Sequence, residues 1–206
     1  MRIFDCLENQ DEAIEAALRA VRAGDLVVLP TDTVYGVGAD AFSPNAVDKL
    51  LTAKGRGRDK PSPVLVASID DAERLAVAIP PAARALMEAY WPGALTIVLP
   101  ARPEIGWDLG ETNGTVALRM PNNPIALELL RIAGPLAVSS ANLTAQHPAA
   151  TVAQANEQLG EKVAVYLDGG ECGGGVPSTI VIVGETLEIV RHGAIADEDI
   201  VRCAAP

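Results

Sequence analysis

Two spacings of apolar residues divide the chain into alternating helices and strands. Asn9 followed by Glu12 resembles a capping box, and an Ala-rich helix is predicted from there to about Arg22. Gly24 stops it. Residues 26–29 are an unbroken apolar run closed by Pro30, as expected of a buried strand. Residues 31–41 contain Gly36 and Gly38 and read as a loop. Ser43 and Pro44 are the start signals of a second helix, ending near Lys54. Residues 56–62 are polar and predict a loop. Short apolar runs at 64–67, 95–99, 116–118 and 136–138 predict strands, the last leading into Ser139 and Ser140. Helical patterns occupy 70–77, 82–90, 124–132 and 152–159. Residues 163–167, 179–183 and 187–190 predict closing strands, and 197–206 a short helix or a frayed tail. Interleaved helices and strands point to an α/β or α+β domain around a mixed sheet. No repeat, linker or boundary interrupts 1–206, so one domain is expected.

Composition narrows the function. Hydrophobic residues make up 49% of the 206, but aromatics only 3%, so the core must be built from Ala, Val, Leu and Ile. Sixteen cations against twenty-seven acids give a net charge of −11, which repels nucleic-acid phosphates unless cations are gathered locally. Cys6, Cys172 and Cys203 form no pair, which fits a reduced compartment. His147 and His192 have no partner at metal-ligand spacing, so no metal site is expected. Residues 1–8 lack the form of a signal peptide, and no apolar run approaches membrane-spanning length. A cytoplasmic protein without membrane association is the expectation.

Four stretches could carry chemistry. Lys54, Arg56, Arg58 and Lys60 place four cations within seven residues of an acidic chain. Cations favour helix C-termini, which accounts for Lys54 but poorly for Lys60. A polyphosphate clamp is the other reading, because guanidinium grips phosphate oxygens in pairs. Residues 30–38, PTDTVYGVG, follow a strand end, where ligands of open α/β sheets bind. Thr33 and Tyr35 could offer hydroxyls there, or Asp32 and the threonines could bond their own backbone. Ser139-Ser140-Ala141-Asn142 again follows a strand, and its setting does not suit a nucleophilic serine. Residues 169–175 are glycine-rich, but no Lys-Ser follows and a strand comes next, so neither standard nucleotide loop applies. Arg119 and Arg191 each end a predicted strand, where arginine is either solvated or holds an anion.

Taken in order, the stretches make a stronger pattern. LPTDTVYGVG at 29–38, Lys54-Gly55-Arg56 with Lys60-Pro61, WPGALT at 91–96, VALR at 116–119, SSAN at 139–142, PSTI at 177–180 and Val190-Arg191 together resemble the YrdC-type threonylcarbamoyl-AMP synthase family. The resemblance runs from about residue 26 to 195. It implies a single YrdC-like α/β domain with a twisted mixed sheet, flanking helices and a concave basic cavity. It also implies a nucleotidyltransferase that joins L-threonine, bicarbonate and ATP into threonylcarbamoyl-AMP and pyrophosphate. Mg²⁺ would travel on the phosphates, and a separate tRNA-modifying complex would take the product. Lys54, Arg56, Ser140 and Asn142 match the family's catalytic set. Arg56, Lys60, Thr115, Asn142 and Arg191 match its ATP contacts, with Thr151 as a further one or as a helix cap. Thr33, Arg119, Ser140 and Ser178 match its threonine contacts. Gly57 departs from the family's usual proline, residues 64–67 lack a histidine that many relatives carry, and 206 residues leave no room for the second domain of some relatives. An RNA-binding module or an inactive paralogue would share the fold; −11 counts against the first, and the retained Lys-Arg-Ser-Asn set against the second.

Overall fold

Asn9 caps the first helix as its sequence predicts. Its Oδ1 accepts the Glu12 N–H at 3.3 Å, and its Nδ2 donates to the Glu12 carboxylate at 3.0 Å. In a computed structural model, which describes residues 1–173 and 175–205, this helix is α1 (Gln10–Arg22). It is followed by α2 (Pro44–Lys54), α3 (Ile69–Leu75), α4 (Pro81–Tyr90), α5 (Pro124–Ala133), α6 (Val152–Leu159) and α7 (Asp197–Ala204). The last of these settles the chain end as a helix, within the described residues. No helix among them is long and apolar enough to cross a membrane.

Ten strands form one mixed sheet: β1 (Arg2–Asp5), β2 (Val27–Leu29), β3 (Gly36–Asp40), β4 (Val64–Leu65), β5 (Leu95–Pro100), β6 (Thr115–Arg119), β7 (Leu136–Ser140), β8 (Val165–Asp168), β9 (Thr179–Val183) and β10 (Leu187–Arg191). Their order is β1-β8-β2-β3-β7-β4-β6-β5-β9-β10. The pairs β1–β8, β8–β2, β4–β6 and β5–β9 are parallel; the rest are antiparallel.

β4, at 64–65, is shorter than the expected 64–67, β8 starts at 165 rather than 163, and three further strands differ from expectation. β1 carries too weak a pattern to be read from the sequence. β7 continues through both serines rather than ending before them. β3 lies where a loop was expected, because its glycines were read as turn residues. They serve close packing instead. A Cβ on Gly36 would lie 2.6 Å from one Val138 methyl, and a Cβ on Gly38 3.1 Å from the other. Glycine therefore lets β3 pair with β7 beneath a branched side chain, in register Gly36↔Ser140 and Gly38↔Val138.

The two faces of the sheet are covered unequally. On one face, Leu50 of α2, Leu86 and Met87 of α4, Leu159 of α6 and Ile200 of α7 join a core with Val37, Ile97, Leu118 and Val181. On the other, Ile14 and Ala17 of α1 and Leu129 of α5 pack on Leu29, Leu136, Val138, Val165 and Leu167. Alternation along β5 and β6 sends Leu95, Ile97, Leu99, Val116 and Leu118 into the first core and leaves Thr96, Val98, Ala117 and Arg119 on the opposite face. α1 and α5 do not reach that half, and the functional cavity lies there.

Candidate active site

The cavity encloses about 240 Å³. Its floor is aliphatic, from Leu65, Val98, Ala117, Val138 and Ile180, and its rim is polar. Six of the residues matched to the family's site line it, Thr33, Arg56, Arg119, Ser140, Ser178 and Arg191, and so do Tyr35 and Ser139 of the polar stretches. Three guanidinium groups thus converge from distant parts of the chain.

Arg56 enters by a helix end. Gly55, at φ +61, closes α2 in the left-handed conformation that glycine adopts without strain, and the Arg56 N–H returns to Leu51 O at 2.9 Å. The side chain then turns inward: Nη1 donates to Ser139 Oγ at 2.9 Å and Nη2 to Pro61 O at 3.4 Å. Its Nε is buried and bonds nothing among the described residues. Arg119, at the end of β6, is 7% exposed. Its Nε donates to Gly93 O at 3.0 Å, Nη1 to Thr33 Oγ1 at 3.0 Å and Nη2 to Asp32 Oδ1 at 2.7 Å. Three of its five N–H groups are thus occupied, leaving one on each Nη for a further acceptor. Arg191, the most exposed of the three, donates through Nε and Nη2 to Ser178 O at 2.9 and 2.7 Å. Ser178 Oγ bonds Thr96 Oγ1 at 2.8 Å.

The electrostatics are those of an anion site. Partial burial, and then repulsion from Arg119 and Arg56, lowers the pKa of Arg191. Burial lowers that of Arg56 too, against the pull of Asp59. Among the described residues only Asp32 brings a carboxylate within bonding distance of these groups. Arginine stays charged nonetheless, so the cavity carries excess positive charge.

The other predicted residues lie outside the cavity. Lys54 is 2% exposed, and its Nζ donates to Asn142 O at 2.6 Å and to Ser140 O, while its own carbonyl accepts the Thr144 N–H. It braces the 140–144 turn and does not line the cavity. Asn142 holds the same turn, through Nδ2 to Leu143 O and Gln146 O at 2.8 and 2.9 Å. Thr115 lines a separate, smaller cavity and donates to Thr112 O at 2.7 Å. Lys60 is exposed on the turn that carries Arg56. Arg58 faces away, between Asp48 at 2.6 Å and Asp108. Thr151 is the helix cap: its hydroxyl accepts the Gln154 N–H at 3.3 Å. Thr151→Ala should therefore cost about 1 kcal/mol in chemical denaturation and leave the KM for ATP unchanged. Tyr35, by contrast, does line the cavity, and its hydroxyl donates to Gly170 O at 2.6 Å and accepts the Gly169 N–H at 3.1 Å.

Thr96 was missed, Ser139 was read only as part of its polar stretch, and Asp32 was misread. Asp32 does not bond its own backbone as the loop reading supposed; it reaches Arg119 and the Asn122 N–H at 2.9 Å. Thr96 was detectable as the one polar residue in an apolar strand, on the face opposite Leu95 and Ile97.

Burial, and then the Arg56 charge, lower the Lys54 pKa from 10.5 to about 8. The folded chain disfavours the ammonium, so the unfolded chain binds more protons between about pH 8 and 10.5. The cost is fully present below pH 8 and is relieved above it. Between pH 8 and pH 10 the wild type should gain ~1–2 kcal/mol relative to Lys54→Met, measured by urea denaturation at both pH values.

Residues 19–193 match the family model described as "Telomere recombination", which covers the Sua5, YciO and YrdC proteins. A Mycobacterium tuberculosis protein, provisionally named a threonylcarbamoyl-AMP synthase, is 51% identical over 200 residues, covering 96% of this chain and 92% of its own. The Bacillus subtilis threonylcarbamoyl-AMP synthase is 38% identical over 208 residues; the match covers 99% of this chain but 60% of that longer protein. The crystal structure of P. abyssi Sua5 complexed with L-threonine superposes with a TM-score of 0.90 at 34% identity, over 98% of this chain and 61% of that one. The chain belongs to the Sua5/YciO/YrdC family.

Proposed function

We propose that this chain is a nucleotidyltransferase that makes L-threonylcarbamoyl-AMP and pyrophosphate from L-threonine, bicarbonate and ATP. The carrying observation is the convergence of Arg56, Arg119 and Arg191 on one hydroxyl-rimmed cavity with a single paired carboxylate. The names of the relatives and the threonine complex of Sua5 support the same reading.

The threonine amine and bicarbonate give a carbamate and water. A carbamate oxygen attacks the α-phosphorus; the bond from that phosphorus to the bridging oxygen breaks, and pyrophosphate leaves with the electron pair. No covalent enzyme group is needed, so positioning and charge neutralisation carry the rate. Arg56 and Arg191 are assigned to the phosphates. Arg119 is assigned to the threonine carboxylate through its two remaining N–H groups, with Thr33, Ser140 and Ser178 as hydroxyl partners. Lys60, exposed beside Arg56, is assigned to the outer phosphates. Lys54 and Asn142 act by holding the 140–144 turn. Among the described residues no cluster of three His, Cys, Asp or Glu side chains offers a metal cage, so Mg²⁺ is assigned to the substrate, as MgATP. The adenylate would pass to a cytoplasmic complex that modifies tRNA.

Incubation with ATP, Mg²⁺, bicarbonate and L-threonine should release pyrophosphate only when threonine and bicarbonate are both present. No release from folded protein that still binds ATP would overturn the reading.

A further inference from the structure

The three guanidinium groups are not equivalent. Arg56 and Arg191 bond only neutral oxygens: Ser139 Oγ and Pro61 O for one, Ser178 O and Oγ for the other. Among the described residues Arg119 alone of the three is paired with a carboxylate. That pair is largely withdrawn from solvent, the Arg119 and Asp32 side chains being 9% and 16% exposed.

Asp32 is also fixed in place. Its Oδ1 accepts the Asn122 N–H as well as the Arg119 Nη2–H. The residue before it, Thr31, donates to Val34 O at 2.6 Å and accepts the N–H groups of Thr33 and Val34. The carboxylate is thus tied to both Arg119 and the Asn122 backbone, on a turn that Thr31 braces.

The consequence is a division of charge. A phosphate chain carries several negative charges and binds where uncompensated positive charge is greatest. Salt screens a partly buried site only weakly, so Asp32 sharply reduces the pull of Arg119 on such a chain. An amino-acid carboxylate carries one charge and is recognised by fork geometry. Arg119 retains one free N–H on each Nη, which suits that geometry. We infer that Asp32 is a specificity-determining residue: it orients Arg119 and cancels its charge, so that this corner takes a carboxylate and refuses phosphate. The inference rests on the assignment of Arg119 to the threonine carboxylate made above.

Without that charge all three guanidinium groups would be uncompensated, and a polyphosphate could bind across Arg119 and block threonine. Asp32→Asn tests this, because the amide oxygen keeps the shape and accepts both hydrogen bonds. In the wild type, inorganic pyrophosphate should inhibit competitively with ATP and not with threonine. In Asp32→Asn it should also compete with threonine, its affinity for the free protein should be about ten-fold higher than in the wild type, and the KM for threonine should rise. Calorimetric titration with pyrophosphate alone should show tighter binding to the variant, independently of turnover.

A raised threonine KM with an unchanged competition pattern and unchanged pyrophosphate affinity would reduce Asp32 to a brace and overturn the inference. So would pyrophosphate competing with threonine in the wild type, an outcome readable even if the variant fails to fold. If folded wild-type protein neither turns over nor binds threonine calorimetrically, the assignment of the cavity falls, and this inference with it.

Discussion

Replacing Arg56 with alanine is expected to lower kcat/KM for threonine-dependent pyrophosphate release by about 10²–10³-fold, the loss typical of one removed donor to a developing charge. The expectation rests on what Arg56 bonds in the free protein. Its contacts are one serine hydroxyl and one long bond to a proline carbonyl, and its Nε is buried without a partner among the described residues. A buried donor left unbonded is costly, and a phosphate oxygen would relieve it. Its charge also works against the fold, since Arg56 lowers the pKa values of both Lys54 and Arg191. Alanine should therefore leave the melting temperature within a few degrees of wild type, or raise it. A variant that loses activity only in proportion to its loss of folded protein would make Arg56 structural and sink its assignment to phosphate.

How far the site was legible follows from how each residue is used. Arg56, Arg119 and Arg191 stood out because arginine at a helix or strand end in an acidic chain is a sparse, local signal. The resemblance to one family then joined them. What no local pattern carries is the direction of a side chain after the backbone turns. Lys54 and Arg56 are two residues apart, yet the left-handed Gly55 separates their fates: Lys54 goes under the sheet's serine turn, Arg56 into the cavity. Arg58 and Thr115 bear the same chemistry as true lining residues and point elsewhere. Asp32 was seen and misread, because its partner lies 87 residues away and a short polar turn offers a nearer one. The fold shows the same limit. Helices with capping residues were placed to within a residue or two, since Asn9, Ser43 and Thr151 act locally. β3 failed because glycine in a strand makes sense only once Val138 of the neighbouring strand is known.

Gly193→Ala is the second large effect expected, and it acts through backbone. Gly193 follows the strand that ends in Arg191, where residues 192–195 cross residues 177–179. The crossing is tied by Ala194 N–H to Pro177 O at 3.0 Å and by the Thr179 hydroxyl, which donates to Ile195 O at 2.9 Å and accepts the Ile195 N–H at 3.0 Å. A Cβ on Gly193 would lie 2.4 Å from both Ser178 C and Thr179 N and 2.5 Å from Pro177 O. These are main-chain atoms that cannot rotate away, unlike the Val138 methyls facing Gly36. The two segments must separate, and with them Arg191 and the Ser178 carbonyl that holds its guanidinium. The expected cost is about 1–3 kcal/mol of stability. Because reacting groups must sit within a few tenths of an ångström of their alignment, activity should fall by ~10²-fold at temperatures where the variant is still folded. Arg191→Lys offers the comparison: it keeps the backbone and the charge while losing the two-nitrogen grip on Ser178, so it should raise the KM for ATP without a comparable loss of stability. Denaturation curves and ATP titrations on the two variants separate the crossing from the guanidinium. A Gly193→Ala protein with wild-type KM and melting temperature would mean that the two segments part freely, and that the position of Arg191 does not depend on their contact.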